Sequence, residues 1–374
     1  MKTENTTMTP IVHFGGGALG RGLVLDLLSA SGRPIYLADA NPALLAHLAA
    51  NDNAFTIQKT DLEQPAVTIQ LAGVYHPGQD AEKLDAILKE ADTITTSVRR
   101  ENLHHVASTL IRAWKDLSAK ELAAKQVLCI ENVEHVGDYF RSQLDSMLEK
   151  EEDQKKFANI RIPDTIVDRI CSANPDTFEV LCEEFHECMV DENVVPDTGL
   201  DLIGSTLDID SHFARKRYLL NTYADGISFL GAQKGLQYLH EAAADPKLNA
   251  IIGPYIELLK TYLNKTYHID RDELDDWSTL YQKRLSNPKI CRDLNTVARS
   301  GFNKLTETER FVYPLLSFET EEIAAALPTL RAVFEKSLKD ENLTIEEGLQ
   351  KLQKQWNSQK GQDLYALFSQ AVLA

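Results

Sequence analysis

Over the first half of the chain, short apolar runs alternate with stretches of helical spacing. Residues 11–14 and 35–38 are apolar and bounded by Gly and Pro, as strands buried on both faces should be. Between them Leu19, Leu23 and Leu27, then Val24 and Leu28, recur at helical intervals and predict a β-α-β unit of ~30 residues. Residues 67–74 alternate and predict one strand before a break at His76-Pro77. Residues 93–98 and 127–130 predict two further buried strands, and the charged run 149–156 reads as a solvated helix or loop. From about Asp201 the pattern changes. Around 215–230, 255–267, 272–284 and 321–338, apolar residues fall three and four apart, as in amphipathic helices. The expectation is an α/β domain over 1–200 and a mostly α-helical domain over 201–374, joined near 196–203.

The turn after the first strand carries candidate chemistry. Gly15-Gly16-Gly17-Ala18-Leu19-Gly20 contains the spacing G-x-G-x-x-G. Gly15 permits a tight turn, Gly17 lets the backbone approach a pyrophosphate, and Gly20 lets the helix close on the strand. The helix start at Ala18 and Leu19 then turns free N–H groups toward the phosphates. Asp39 ends the next strand, followed by Asn41-Pro42. A carboxylate there accepts hydrogen bonds from the adenosine ribose and repels a 2′-phosphate, which favours NAD over NADP. In the competing reading Asp39 caps the turn, and the same glycine pattern also serves flavins. The pattern makes the first half Rossmann-type. Thr96, Ser97 and Val98 end another strand, at the crevice where such sheets take ligands, and Arg99-Arg100 follow.

Composition narrows the partners. A net charge of −17 argues against nucleic acid, which demands a concentrated basic face. Cys129, Cys171, Cys182, Cys188 and Cys291 form no C-x-x-C pair, which fits a reducing cytoplasm and gives no metal-ligand spacing. Residues 1–9 are polar, and no apolar run approaches the ~20 residues of a membrane span, so a soluble protein is expected.

The sequence from His13-Phe14-Gly15 to Gly20-Arg21-Gly22, with Ala38-Asp39-Ala40-Asn41, Glu131-Asn132 and Val167-Asp168-Arg169-Ile170, resembles the polyol-specific long-chain dehydrogenases of the mannitol dehydrogenase family. Arg215-Lys216, Leu220-Asn221-Thr222, Gly231, Asn287-Pro288, Asp293, Arg299 and Lys304-Leu305 extend the resemblance through the helical half. It implies Lys216 as general base, with Asn221 and Asn132 as amides on the reacting oxygen and Asn132 also beside the cofactor. A lysine base must lose its proton near neutral pH, which burial and the flanking Arg215 and Arg217 promote. On an α-helix, though, Lys216 and Asn221 stand ~140° apart. Without the resemblance, Lys216 reads as an exposed helix lysine. The resemblance also implies NAD as cofactor, no metal, and a sugar alcohol or sugar phosphate as substrate. The expected reaction is oxidation of a hexitol phosphate such as mannitol 1-phosphate to fructose 6-phosphate. Arg169, Arg299 and Lys304 are candidates for substrate phosphate or hydroxyls, or else for ion pairs.

Four positions depart from the family pattern. Ala224 stands where the family has a histidine that binds substrate, with His212 or Tyr223 as substitutes. Gly301 and Asn303 replace a proline and an arginine, and Arg99 replaces a glycine. These leave two alternatives: a dehydrogenase of another polyol or hexonate, or an NAD-binding protein with weakened catalysis.

Overall fold

Ile11–Phe14 form a strand, β1, with every side chain buried. It alternates faces as a strand must, so Ile11 enters one hydrophobic core while Val12 and Phe14 enter another. The computed structural model describes residues 8–61 and 66–373; the polar start of the chain, 1–7, lies outside the described residues. The chain divides into two compact units, the first ending at Ile209 and the second beginning at Asp210.

In the first unit β1 is followed by β2 (Ile35–Ala38), β3 (Ala54–Lys59), β4 (Ala66–Gln70), β5 (Gly73–Tyr75), β6 (Thr93–Thr96) and β7 (Gln126–Cys129). Five of these make a parallel sheet in the order β5-β2-β1-β6-β7. Helices Pro42–Ala50, Ala81–Glu90, Leu103–Trp114 and Val136–Ser146 connect or follow them. The order reverses at β1, with β2 on one side and β6 on the other, and the crevice at such a switch point is where open α/β sheets bind ligands.

Two expectations change here. The alternating run 67–74 is two strands, not one. β4 pairs antiparallel with β3, whereas β5 is the edge of the parallel sheet, and the chain changes sheets at Leu71-Ala72. Short strands at the end of this half went unpredicted. They are β8 (Thr165–Asp168), β9 (Cys171–Ala173), β10 (Val180–Cys182), β11 (Glu187–Asp191) and β12 (Gly204–Thr206). They complete sheets ordered β4-β3-β10-β9 and β12-β11-β8.

The second unit is helical. Its central helix, Thr222–Gln233, packs on Leu239–Ala244, Pro246–Tyr267, Leu294–Val297 and Leu327–Glu341. The helix expected at 255–267 starts earlier, at Pro246 behind an Asp245 cap, and runs through Pro254. The one expected at 321–338 is broken. Thr320–Ile323 ends in a tight turn at Ala324–Ala326, and the next helix restarts with a proline in its first turn.

Candidate active site

The glycine-rich turn is built by contact between the ends of β1 and β6. Gly15 has φ +106°, and a Cβ on it would lie 2.5 Å from the Ser97 carbonyl oxygen. A Cβ on Gly20 would lie 1.9 Å from the Gly15 oxygen, so neither position accepts a side chain. At Gly17 a Cβ would meet nothing within 4 Å, because that face of the turn opens into a cavity of about 430 Å³. Gly15, Gly17, Asp39, Ser97 and Val98 line this cavity together. Ala18 and Leu19 begin the helix below it.

Asp39 is held at the cavity edge. Its carboxylate accepts from Gly16 N at 2.5 Å and Asn41 N at 2.6 Å. Asn41 itself caps the following helix, accepting from Ala43 N and Leu44 N. Beneath the turn sits His13, with no exposure to solvent. Its Nε2 is 2.8 Å from the Gly15 oxygen, which can only accept, so Nε2 carries the proton. Nδ1 therefore accepts from the Thr95 hydroxyl at 2.8 Å. Burial pushes the imidazole down to about 4, so it is neutral at physiological pH.

Glu131 clasps the end of β6. It accepts from the Thr96 hydroxyl at 2.9 Å, Val98 N at 2.7 Å and Arg99 N at 3.0 Å. Burial raises its carboxyl above the usual range, and these three donors oppose that rise. Thr96 thus faces Glu131 and does not line the cavity, whereas the next residue, Asn132, is exposed.

Arg169 does not serve as a free substrate donor. Its guanidinium is buried and donates to Asp26 at 2.6 Å and to the carbonyls of Gly22, Phe185 and Glu184. Asp26 also pairs with Lys59 at 3.0 Å. An arginine with its fork spent in this way ties the glycine-turn helix to the strands behind it.

In the second unit, Ile209–Arg215 and Thr222–Gln233 are joined by Lys216–Asn221, which winds as a π-helix. This corrects the α-helical placement of the two candidates. In a π turn residue i bonds to i+5, so residues five apart come nearly into line. Lys216 and Asn221, both half-buried, are therefore brought toward one face. The Arg217 carbonyl, freed by the wider turn, accepts from the Thr222 hydroxyl at 3.2 Å.

The arginines flanking Lys216 are compensated. Arg215 stacks on Trp277 with Glu273 at 3.4 Å, and Arg217 donates to the Thr308 carbonyl with Glu309 at 3.5 Å. Tyr223 does not stand in for the histidine replaced by Ala224. It is buried, its hydroxyl donates to Asn249 at 2.7 Å, and burial raises its pKa. His212 lies beside Arg215, with Nδ1 3.3 Å from the guanidinium. Lys304 is also committed, donating to Asp225 at 2.9 Å and the Val297 carbonyl at 2.8 Å, and Arg310 adds a second cation at 3.3 Å from Asp225. Of the substrate candidates only Arg299 is exposed. At Gly301, where the family has proline, a Cβ would lie 2.0 Å from Ser337 Oγ, so the replacement is matched by this neighbour.

His13 and Asp225 escaped the sequence reading. A polar residue inside an otherwise apolar four-residue strand was the available signal for His13; Asp225 carried none. Among the described residues no group of His, Cys, Asp or Glu is arranged to hold a metal, and no helix is long and apolar enough to cross a membrane.

The family model described as the mannitol dehydrogenase Rossmann domain matches residues 9–204, and that described as the mannitol dehydrogenase C-terminal domain matches residues 208–354. A mannitol-1-phosphate 5-dehydrogenase of Caldanaerobacter subterraneus subsp. tengcongensis is 28% identical over 323 residues, covering 82% of this chain and 81% of that protein. The Bacillus subtilis protein of the same name is 27% identical, covering 84% and 86%. The fold is shared with Pseudomonas fluorescens mannitol 2-dehydrogenase, solved as a ternary complex with NAD and D-mannitol. That match has a TM-score of 0.70 at 18% identity, covering 98% of this chain and 92% of that one. A D-sorbitol dehydrogenase in substrate-free form also gives 0.70, at 17% identity, covering 97% and 93%. With both halves matched in order, the chain belongs to the mannitol dehydrogenase family.

Proposed function

We propose that this protein is an NAD-dependent dehydrogenase of the cytoplasm that interconverts a hexitol phosphate, mannitol 1-phosphate, and fructose 6-phosphate. The observation that carries the cofactor half is the Asp39 carboxylate, anchored by Gly16 N and Asn41 N at the rim of a cavity whose floor at Gly17 is open. The residues fit a dinucleotide. Asp39 accepts from ribose hydroxyls, and the open Gly17 face admits the pyrophosphate. When bound, the nicotinamide supplies the hydride acceptor. The first unit carries the cofactor and the second the base.

Lys216 takes the proton of the substrate hydroxyl, and the amides of Asn221 and Asn132 donate to the oxygen as it gains charge. The π turn supports this division of labour, because it sets the base and one amide toward a common face. Ala224 offers no imidazole, so the two amides carry the orientation of the oxygen between them. The relatives' names support the phosphorylated substrate. Of the arginines and lysines proposed for a substrate phosphate, Arg299 keeps that role.

The test is a panel assay of NADH or NADPH oxidation with fructose 6-phosphate, fructose and ketohexonates. Fructose 6-phosphate with NADH is expected to turn over fastest. Lys216→Ala should lose turnover by at least ~100-fold and still bind NADH. Wild-type protein that binds NADH but reduces none of these ketoses refutes the proposal.

A further inference from the structure

Arg99 holds a backbone conformation that an arginine adopts only at a cost. Its φ of +71° with ψ of 149° lies where glycine is at ease and a side chain is strained. The surroundings impose this conformation, since Glu131 takes the Arg99 and Val98 amides together. Glycine, which the family resemblance places here, would satisfy the same turn without strain. The reason for an arginine must therefore lie in its side chain.

Arg99 is exposed and lines the same cavity as Gly15, Gly17 and Asp39. It is the only lysine or arginine among the described residues that line it. The next residue, Arg100, lies instead over the Tyr139 ring, 4.3 Å from its centre. A polyanion entering this cavity meets Asp39 and a chain of net charge −17. An exposed guanidinium on the wall offsets that repulsion and offers a planar fork of donors suited to phosphate oxygens.

We propose that Arg99 is a phosphate-binding residue of the dinucleotide cavity. The assignment rests on the cofactor reading above. Its ligand is a phosphate of the cofactor, either the pyrophosphate common to NADH and NADPH or the 2′-phosphate of NADPH alone.

Titration calorimetry of wild type, Arg99→Gly and Arg99→Lys with NADH, NADPH, ADP and adenosine tests it. Arg99→Gly is expected to weaken NADH and ADP by about tenfold, to leave adenosine unchanged, and to melt no lower than wild type. Arg99→Lys should recover part of the loss, and the difference should shrink at about 0.5 M salt. Weakening confined to NADPH assigns the 2′-phosphate as the group bound. The proposal is overturned if Arg99→Gly binds ADP and NADPH as wild type does, or loses adenosine by the same factor. Wild type that binds ADP but neither NADH nor NADPH removes the cofactor reading and leaves Arg99 to be judged on ADP. Wild type that binds none of the phosphate compounds overturns both.

Discussion

The buried histidine under the glycine turn makes this unit's stability depend on pH between about 6.5 and 4. His13 is neutral in the fold, donating through Nε2 to the Gly15 carbonyl and accepting at Nδ1 from Thr95. Burial lowers its pKa from 6.5 to about 4, against backbone carbonyls at Gly15 and Thr95 that favour the charged form. Above pH 6.5 both folded and unfolded chains carry it neutral, and it adds no pH dependence. As the pH falls from 6.5 toward 4 the unfolded chain takes up the proton and the folded chain does not, so stability is lost. Below about 4 both states are protonated and the slope from this group ends. A shift of that size corresponds to about 3 kcal/mol in full, of which about 2 kcal/mol falls between pH 7 and pH 5.

His13→Gln keeps a donor for Gly15 and removes the titration. Hydrogen exchange on peptides from β1 and β6, corrected for intrinsic rates, reads this unit separately. A whole-chain melt of a two-unit protein does not. Wild type should lose about 2 kcal/mol more protection than His13→Gln on going from pH 7 to pH 5. If the two lose protection in parallel, the neutral, buried state assigned to His13 is wrong.

Two further substitutions probe the same turn from opposite sides. Gly17→Ala should keep the hydrogen-exchange protection of β1 and β6 close to wild type, because its Cβ enters open space, yet bind NADH more weakly. Gly20→Ala, with its Cβ driven onto the Gly15 oxygen, should cost β1 and β6 about 3 kcal/mol of hydrogen-exchange protection; equal protection in the two variants would refute the packing described. Asp39→Ser should narrow the preference for NADH over NADPH by about tenfold. An unchanged ratio of kcat/KM values for the two cofactors would show that Asp39 does not read the ribose.

Much of the first unit was legible because its strands are buried on both faces. Ile11–Phe14 and Ile35–Ala38 have almost no polar positions to blur the reading, and Gly15 and Gly20 between them are explained by close contacts a side chain would break. The run 67–74 misled because periodicity reports exposure, not partners. β4 and β5 continue one alternation while pairing in different sheets. Strands of three residues such as Cys171–Ala173 are too short to show a period at all. Near the cavity, the placement of Asp39 at the end of β2 was readable from position alone, whereas Asn41, expected beside the cofactor, spends its side-chain oxygen capping the next helix. Arg169, Tyr223 and Lys304 were not, because their partners Asp26, Asn249 and Asp225 lie 143, 26 and 79 residues away along the chain.

The π turn at Lys216–Asn221 has a consequence for how this helix can change over generations. A wider turn holds one residue more than an α-helical turn of the same height, so single-residue replacements within it leave the spacing intact. Loss of one codon would be different. It would let the segment relax into an unbroken α-helix with its hydrogen bonds complete, and the core around Thr222–Gln233 would survive. The side chains before and after the gap would still share a face, because the ends of the segment would then stand four apart on an α-helix. With the proposed roles of Lys216 and Asn221, descent should therefore keep either a five-residue spacing with this wider turn or a four-residue spacing without it, and exclude five residues wound as a plain α-helix.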